Sequence, residues 1–183
     1  MPAAIVVLFD IGHSEEARHR LKTCQKCQVI YHYSHYTKPN ETFVDGSRAH
    51  FFYEDSLDSD YFLASSSSGF SVRFLRTYFS EIFLVPEMSF YAKEKSYNMS
   101  VSSGNVAMER RTLADCFFTY ALISMLRTYY KPIANLKFGA DVDKNIDFYL
   151  CHLKSGFNAL SAKRRCNVAG CGTCVGWDAD CKV

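Results

Sequence analysis

The 183-residue sequence has almost no excess of charge of either sign, because 21 lysines and arginines stand against 19 aspartates and glutamates. A net charge of +2 is too small to argue for a nucleic-acid partner. The charges are unevenly placed, however. Residues 41–60 hold six acids and one arginine, whereas residues 150–165 hold four basic residues and no acid. We therefore expect an acidic surface early in the chain and a basic one late.

Cysteine is too scarce for a small disulfide scaffold, with eight residues in a chain of this length. The short apolar run at the N-terminus is preceded by no basic region, so we expect no signal peptide and an intracellular location. In a reducing compartment, clustered cysteines bind metal more often than they form disulfides. The cysteines of this chain are therefore candidates for metal ligands.

The sequence also lacks an apolar run that could cross a membrane. Its most apolar stretch, residues 113–130, contains Asp115 and Arg127, which predicts a buried helix and no membrane partner. Recognisable catalytic motifs are missing as well: the phosphate-binding Gly-x4-Gly-Lys loop, the nucleophile-elbow serine, the His-Glu-x2-His helix and the full zinc-deaminase signature, which needs a proline directly before Cys-x2-Cys where this chain has Thr23. We expect neither an enzyme nor a small-molecule substrate.

Two short-spaced cysteine clusters lie about 140 residues apart, Cys24-Gln25-Lys26-Cys27 and residues 166–174. A Cys-x2-Cys turn presents two sulfurs to one tetrahedral ion, most often zinc. The preferred ligands of one structural zinc are Cys24, Cys27, Cys166 and Cys171. One alternative replaces Cys166 with Cys174, and a local alternative combines Cys24 and Cys27 with His32 and His35.

His32 and His35 are three residues apart, which places them on opposite faces of a regular strand. We therefore interpret them first as polar residues of a half-exposed hairpin. Cys116 and Cys151 lie on apolar helix faces and are interpreted as small buried residues.

The pattern of residue types predicts one α+β domain over residues 1–183. Its parts are a small zinc-ribbon-like antiparallel sheet in residues 1–64, a helical body in residues 70–165 and a closing cysteine knuckle in residues 166–183. Ser14 followed by Glu15 and Glu16 predicts a helix cap and a short helix to Leu21. The chain then alternates β-prone runs with turns at Pro39-Asn40 and Asp45-Gly46, up to a strand near Tyr61–Ala64.

Four helices are predicted in the helical body, residues 70–165. The first helix begins at Phe70 and the second begins near Met88. The third runs from Arg110 to Tyr130, and the fourth runs from Asn145 to about Lys163 with Asp143 as its cap. The basic end of the last helix could contact phosphates or be a solvated helix end. Its candidate contact residues are Lys154, Lys163, Arg164 and Arg165.

Several motifs follow one another in a recognisable order: Cys24-x2-Cys27, the aromatic run Tyr31–Tyr36, Phe70-Ser71 with Phe74-Leu75, Met88-Ser89-Phe90 with Tyr97-Asn98, and Cys166-x4-Cys171 with Trp177-Asp178 and Lys182. This order resembles the cysteine-cluster domains found upstream of KDZ-type transposases in eukaryotic DNA transposons. The run Asp178-Ala179-Asp180 departs from the family pattern, which has glycine at its second position.

The resemblance implies that Cys24, Cys27, Cys166 and Cys171 are the zinc ligands. It also implies a nuclear accessory module that binds DNA or partner proteins, with the catalytic acids of a transposase beyond the end of this chain. We therefore expect a non-catalytic, zinc-stabilised DNA-binding domain. The alternatives are a protein-interaction module that uses the acidic residues 41–60, and a thiol redox protein.

Overall fold

The computed structural model describes residues 4–85, 88–101, 106–129 and 132–150, and these residues form an α+β fold, as predicted. The chain from residue 151 onward, with its predicted basic helix end and second cysteine cluster, lies outside the described residues.

The described residues contain eight strands: β1 (Ala4–Asp10), β2 (His13–His19), β3 (Lys22–Thr23), β4 (Ile30–Tyr31), β5 (His35–Thr42), β6 (Arg48–Phe52), β7 (Tyr61–Phe62) and β8 (Ser68–Ser71). The α-helices are α1 (Val72–Leu84), α2 (Phe90–Ser100), α3 (Arg110–Tyr129) and α4, which covers residues 142–150 of the described chain. Short 3-10 helices occupy Glu54–Leu57 and Ile133–Asn135.

The strands form two four-stranded sheets. The first sheet has the order β2-β1-β8-β7, in which only the β1–β8 pairing is parallel. The second sheet is the antiparallel meander β3-β4-β5-β6. The prediction of one sheet was therefore too simple, because the strand near Tyr61 pairs with β8 and not with the sheet that grows out of the cysteine turn.

The predicted helix after Ser14 is wrong, because residues 13–19 form β2. This strand pairs with β1 along its whole length, from Ala4 opposite His19 to Asp10 opposite His13. Gly12 allows the tight turn between the two strands, since its φ of 79° lies in the left-handed region. The long-range pairing therefore outweighs the local helix signal.

Two turn and cap predictions also need correction. Pro39 lies inside β5, at an irregularity in the pairing with β6 between Thr37 and Thr42, where a residue without an N–H fits. The cap of α4 is Asp141 and not Asp143, because Oδ1 of Asp141 accepts hydrogen bonds from the N–H groups of residues 143 and 144.

The helices α1 and α3 pack against the first sheet, and α2 packs against α3. Together they surround a largely aromatic core, which includes Phe9, Phe62, Phe70, Tyr78 and Leu113. The helix predicted from Arg110 is confirmed as α3, with buried positions three or four residues apart. No helix within the described residues is long and apolar enough to cross a membrane.

Candidate metal and nucleic-acid binding site

Cys24 and Cys27 lie in the tight turn that joins β3 to β4. The turn is closed by hydrogen bonds from Cys24 N to Val29 O (2.9 Å) and from Gln28 N to Cys24 O (2.8 Å). Gln28 has a left-handed φ of 57°, which reverses the chain into β4. The sequence prediction of a turn at this cysteine pair is confirmed.

The turn directs backbone N–H groups at the sulfur of Cys24. Hydrogen bonds from the backbone of Cys27, from its side chain and from the backbone of Lys26 lower the pKa of the Cys24 thiol. Cys27 is exposed and Cys24 is half-buried. The two sulfurs are neighbours and accessible, and the lowered pKa of Cys24 favours its thiolate form. Such a pair can supply two of the four ligands of a tetrahedral zinc site.

The other predicted zinc ligands do not complete this site within the described chain. Cys166, Cys171 and Cys174 lie outside the described residues. Within them, no group of three or more histidine, cysteine, aspartate or glutamate side chains has an arrangement that could hold a metal ion. His32 and His35 are described, so the local set of two cysteines and two histidines is not assembled in this structure.

The two histidines instead belong to a cluster of four imidazoles, which we call the histidine cluster: His19, His32, His35 and His50. The ring of His35 stacks on those of His32 and His50, with centroids 4.3 and 4.6 Å apart, and the ring of His32 lies 5.7 Å from that of His19. The interpretation of His35 as a half-exposed hairpin residue is wrong, because only 3% of it is exposed. His32 lies just after β4, in the turn closed by its N–H and the carbonyl of His35, so strand alternation does not separate the two rings.

Burial keeps the histidine cluster neutral. Burial, together with the neighbouring rings of His50, His32 and His19, lowers the pKa of His35 to about 2. Burial and the rings of His19 and His50 lower the pKa of His32 to about 4. Burial also lowers the pKa of His19, and burial with the nearby Arg48 lowers that of His50. The Nδ1 atoms of His19, His32 and His35 are buried without a hydrogen-bond partner among the described residues.

A groove of about 440 Å³ opens where β2 of the first sheet approaches β3 and β4 of the second. Its floor includes Val6 and Leu8, and its walls include three exposed basic residues and three tyrosines: Arg18, Arg20, Lys22, Tyr31, Tyr33 and Tyr61. Most of the residues that line the groove, including all three basic ones, belong to residues 17–40, a segment with five lysines and arginines and no acid. Sequence reasoning missed this segment because charges were counted only in residues 41–60 and 150–165, although the absence of acids from residues 17–40 was visible.

The candidate phosphate contacts Lys154, Lys163, Arg164 and Arg165 lie outside the described residues, so they stay a prediction. The acidic stretch 41–60, by contrast, is largely engaged within the fold. Glu41 pairs with Lys137 at 2.6 Å, and Asp58 pairs with Arg76 at 3.1 Å and with Arg127 at 2.5 Å. Asp45 and Glu54 accept backbone hydrogen bonds, from Ser47 and Ala134 respectively.

Cys116 is a buried residue of α3, as expected, with 3% of it exposed. Its sulfur contacts the carbonyl of Phe62 at 3.7 Å, and burial raises the pKa of its thiol to about 12. Such a thiol stays protonated at neutral pH, which agrees with the interpretation of Cys116 as a small buried residue. Cys151 lies outside the described residues.

No protein-family model, curated protein or solved structure matches the chain.

Proposed function

We propose that the chain is a non-catalytic nucleic-acid-binding module, stabilised by one structural zinc ion to which Cys24 and Cys27 contribute. The observation that carries the proposal is the basic groove beside the cysteine turn. Arg18, Arg20 and Lys22 line it together with tyrosines, within a segment that contains no acid. Basic side chains supply phosphate contacts and tyrosines supply flat rings for bases, and both features favour nucleic acid over an acidic protein partner.

The alternative of a protein-interaction module depends on free carboxylates in residues 41–60. Three of the six acids there, Glu41, Glu54 and Asp58, hold other parts of the chain through ion pairs or hydrogen bonds. Asp45 accepts a hydrogen bond from Ser47 within the stretch itself. This makes the acidic stretch a poor docking surface. A transposase-derived origin stays a proposal that depends only on the motif order described above.

The nucleic-acid proposal is tested by fluorescence anisotropy of the full chain with labelled DNA at several salt concentrations. Neutralising the groove with Arg18→Gln, Arg20→Gln and Lys22→Gln removes three phosphate contacts. We expect the affinity to fall at least tenfold in low salt and the slope of log K against log[salt] to flatten by about two to three. A neutralised control, Lys95→Gln with Arg110→Gln and Arg111→Gln, has the same net charge and alters exposed residues of α2 and α3. Equal effects of the two triple variants, or no binding by the wild type, would refute the proposal.

The zinc proposal is tested by elemental mass spectrometry of the purified full chain. We expect about one zinc ion per chain in the wild type. Zinc should be lost in Cys27→Ser and in Cys171→Ser, and retained in Cys116→Ala, whose buried thiol is not a ligand. Retention in Cys171→Ser with loss in Cys174→Ser would select the alternative ligand, and retention in Cys27→Ser would contradict the site.

A further inference from the structure

The outer face of the second sheet carries a row of aromatic rings, which we call the aromatic row: Tyr31, Tyr36, Phe51 and Tyr53. Strand register places Tyr31 opposite Tyr36 and Tyr36 opposite Phe51. Residues directly opposite each other in paired strands point to the same face. The neighbouring residue Phe52 belongs to the main hydrophobic core, whereas Phe51 does not, although only 3% of Phe51 is exposed. The row therefore lies on the side of the sheet that faces away from the main core, and its Phe51 part is covered.

The rings of the aromatic row are close enough to act as one surface. The Tyr36 centroid lies 6.2 Å from that of Tyr31, 5.2 Å from that of Phe51 and 5.6 Å from that of Tyr53. Tyr36 and Phe51 are nearly parallel, with an angle of 13° between their planes. The hydroxyl of Tyr36 donates to the carbonyl of Ala134 at 3.2 Å, which fixes the central ring.

One end of the row is accessible and basic. Tyr31 is 41% exposed, and it faces Lys22 of β3 across the strand pair. Tyr31 and Lys22 both line the basic groove, so the row and the groove are continuous. The amine of Lys38 lies 4.7 Å from the centroid of Phe51, over the covered part of the row. At the other end, Glu54 and Asp55 follow Tyr53 directly and disfavour phosphate.

We propose that the aromatic row binds single-stranded nucleic acid, with unpaired bases stacked on Tyr31 and Tyr36 and the phosphates running past Lys22 into the basic groove. This inference deepens the proposed function and depends on it. Every base presents a flat π-face, so stacking on exposed rings tolerates many sequences. In a duplex those faces are already covered by neighbouring bases, and the row is therefore selective for single strands.

The test compares anisotropy of the full chain with a labelled single strand of about 20 nucleotides and with the same strand in a duplex. We expect the single strand to bind at least tenfold more tightly. Tyr31→Leu removes the accessible ring and should weaken single-strand binding by about tenfold. Tyr31→Phe keeps the π-face and should retain the affinity. Tyr91→Leu is the matched control, because Tyr91 is an exposed tyrosine of α2 outside the row.

The outcomes separate this inference from the function on which it depends. If single strand and duplex bind equally and Tyr31→Leu has no effect, nucleic-acid binding survives and the aromatic row is refuted. If neither form binds in low salt, both proposals fail. If Tyr31→Leu abolishes binding of a neutral oligosaccharide and leaves single-strand binding intact, the aromatic row binds sugar rings and the inference is wrong. Near-ultraviolet circular dichroism of Tyr31→Leu controls for loss of the native fold.

Discussion

At the scale of single residues, Gln28 is the most informative position of the cysteine turn. It is the only non-glycine residue with a positive φ in the described chain, at 57°. A side chain in this region is strained by contact of its Cβ with the backbone, at a cost of roughly 1–2 kcal/mol. The side-chain amide of Gln28 donates to the carbonyl of Gln25 at 2.9 Å, but that hydrogen bond is exposed and contributes little to stability.

We therefore expect Gln28→Gly to raise the free energy of unfolding by about 1 kcal/mol, because glycine adopts the left-handed conformation without strain. Urea denaturation of the metal-free chain measures this. Gln25→Gly is the control: its backbone has no positive φ, so the added freedom of the unfolded chain should lower stability by about 0.5–1 kcal/mol. A loss of stability in both variants would show that Gln28 is not strained.

At the scale of elements, the junction between β8 and α1 is held by one serine. The Ser71 side chain caps the helix by accepting from Phe74 N at 3.0 Å, and its hydroxyl donates to Asp10 of β1 at 2.5 Å. Asp10 also pairs with Arg73 of α1 at 2.9 Å. The capping residue Ser71 therefore links α1 to β1, the strand that runs parallel to β8.

Ser71→Ala should lower the free energy of unfolding by about 2 kcal/mol, because the cap and the bond to Asp10 are both lost. The matched control is Ser89→Ala, since Ser89 caps α2 through Ala92 N at 3.1 Å and is exposed. This control should cost about 1 kcal/mol. Equal losses in guanidinium denaturation would mean that the contact with Asp10 adds no stability.

The elements also show where sequence reasoning works. The long helix α3 is predictable because its apolar stretch is long and ends at Lys131-Pro132, and the cysteine turn is predictable because two cysteines separated by two residues are typical of a turn. The strand β2 is not predictable in this way, because Ser14 and the two glutamates after it resemble a helix start. The pairing with β1, which makes this segment a strand, cannot be recognised from the local sequence. The aromatic row needs the strand register, which places Tyr36 between Tyr31 and Phe51.

The histidine cluster shows the same limit within the candidate site. His32 and His35 are close in sequence, but His19 comes from β2 of the first sheet and His50 from β6 of the second. Their meeting depends on how the two sheets join. The weak signal in the sequence was that four of six histidines fall within residues 19–50. Without the fold, that signal is equally consistent with exposed polar residues.

At the scale of the whole molecule, the histidine cluster lies at the junction of the two sheets. His19 Nε2 accepts from Tyr33 N at 3.3 Å, which links β2 to the turn between β4 and β5. In the same turn, Ser34 Oγ accepts from Leu63 N at 2.9 Å. Protonation of any of these imidazoles would place a buried charge beside other imidazoles and, at His50, beside Arg48. The junction should therefore weaken in acid.

The direction in which stability changes with pH follows from the lowered histidine pKa values of the folded state. Below pH 6.5 the unfolded chain takes up protons on these histidines, whereas folded His32 and His35 resist until about pH 4 and 2. Stability is thus fully present above pH 6.5 and falls as the pH drops from there. Each histidine that stays neutral in the folded state lowers the free energy of unfolding by at most about 1.4 kcal/mol per unit fall in pH. The paired carboxylates of Asp10 and Asp58 have lowered pKa values and therefore do not contribute to a loss of stability between pH 7 and pH 5.

We expect the free energy of unfolding, measured by urea denaturation, to fall between pH 7 and pH 5. In His35→Phe it should fall less steeply, by up to about 1.4 kcal/mol per pH unit, because one resisting group is gone and the stacked ring is kept. His13→Phe is the control, since His13 is exposed and lies outside the cluster, so its slope should match the wild type. Repeating the series in a Cys27→Ser background removes zinc release as a cause. An unchanged slope in His35→Phe would contradict a buried neutral cluster at the junction.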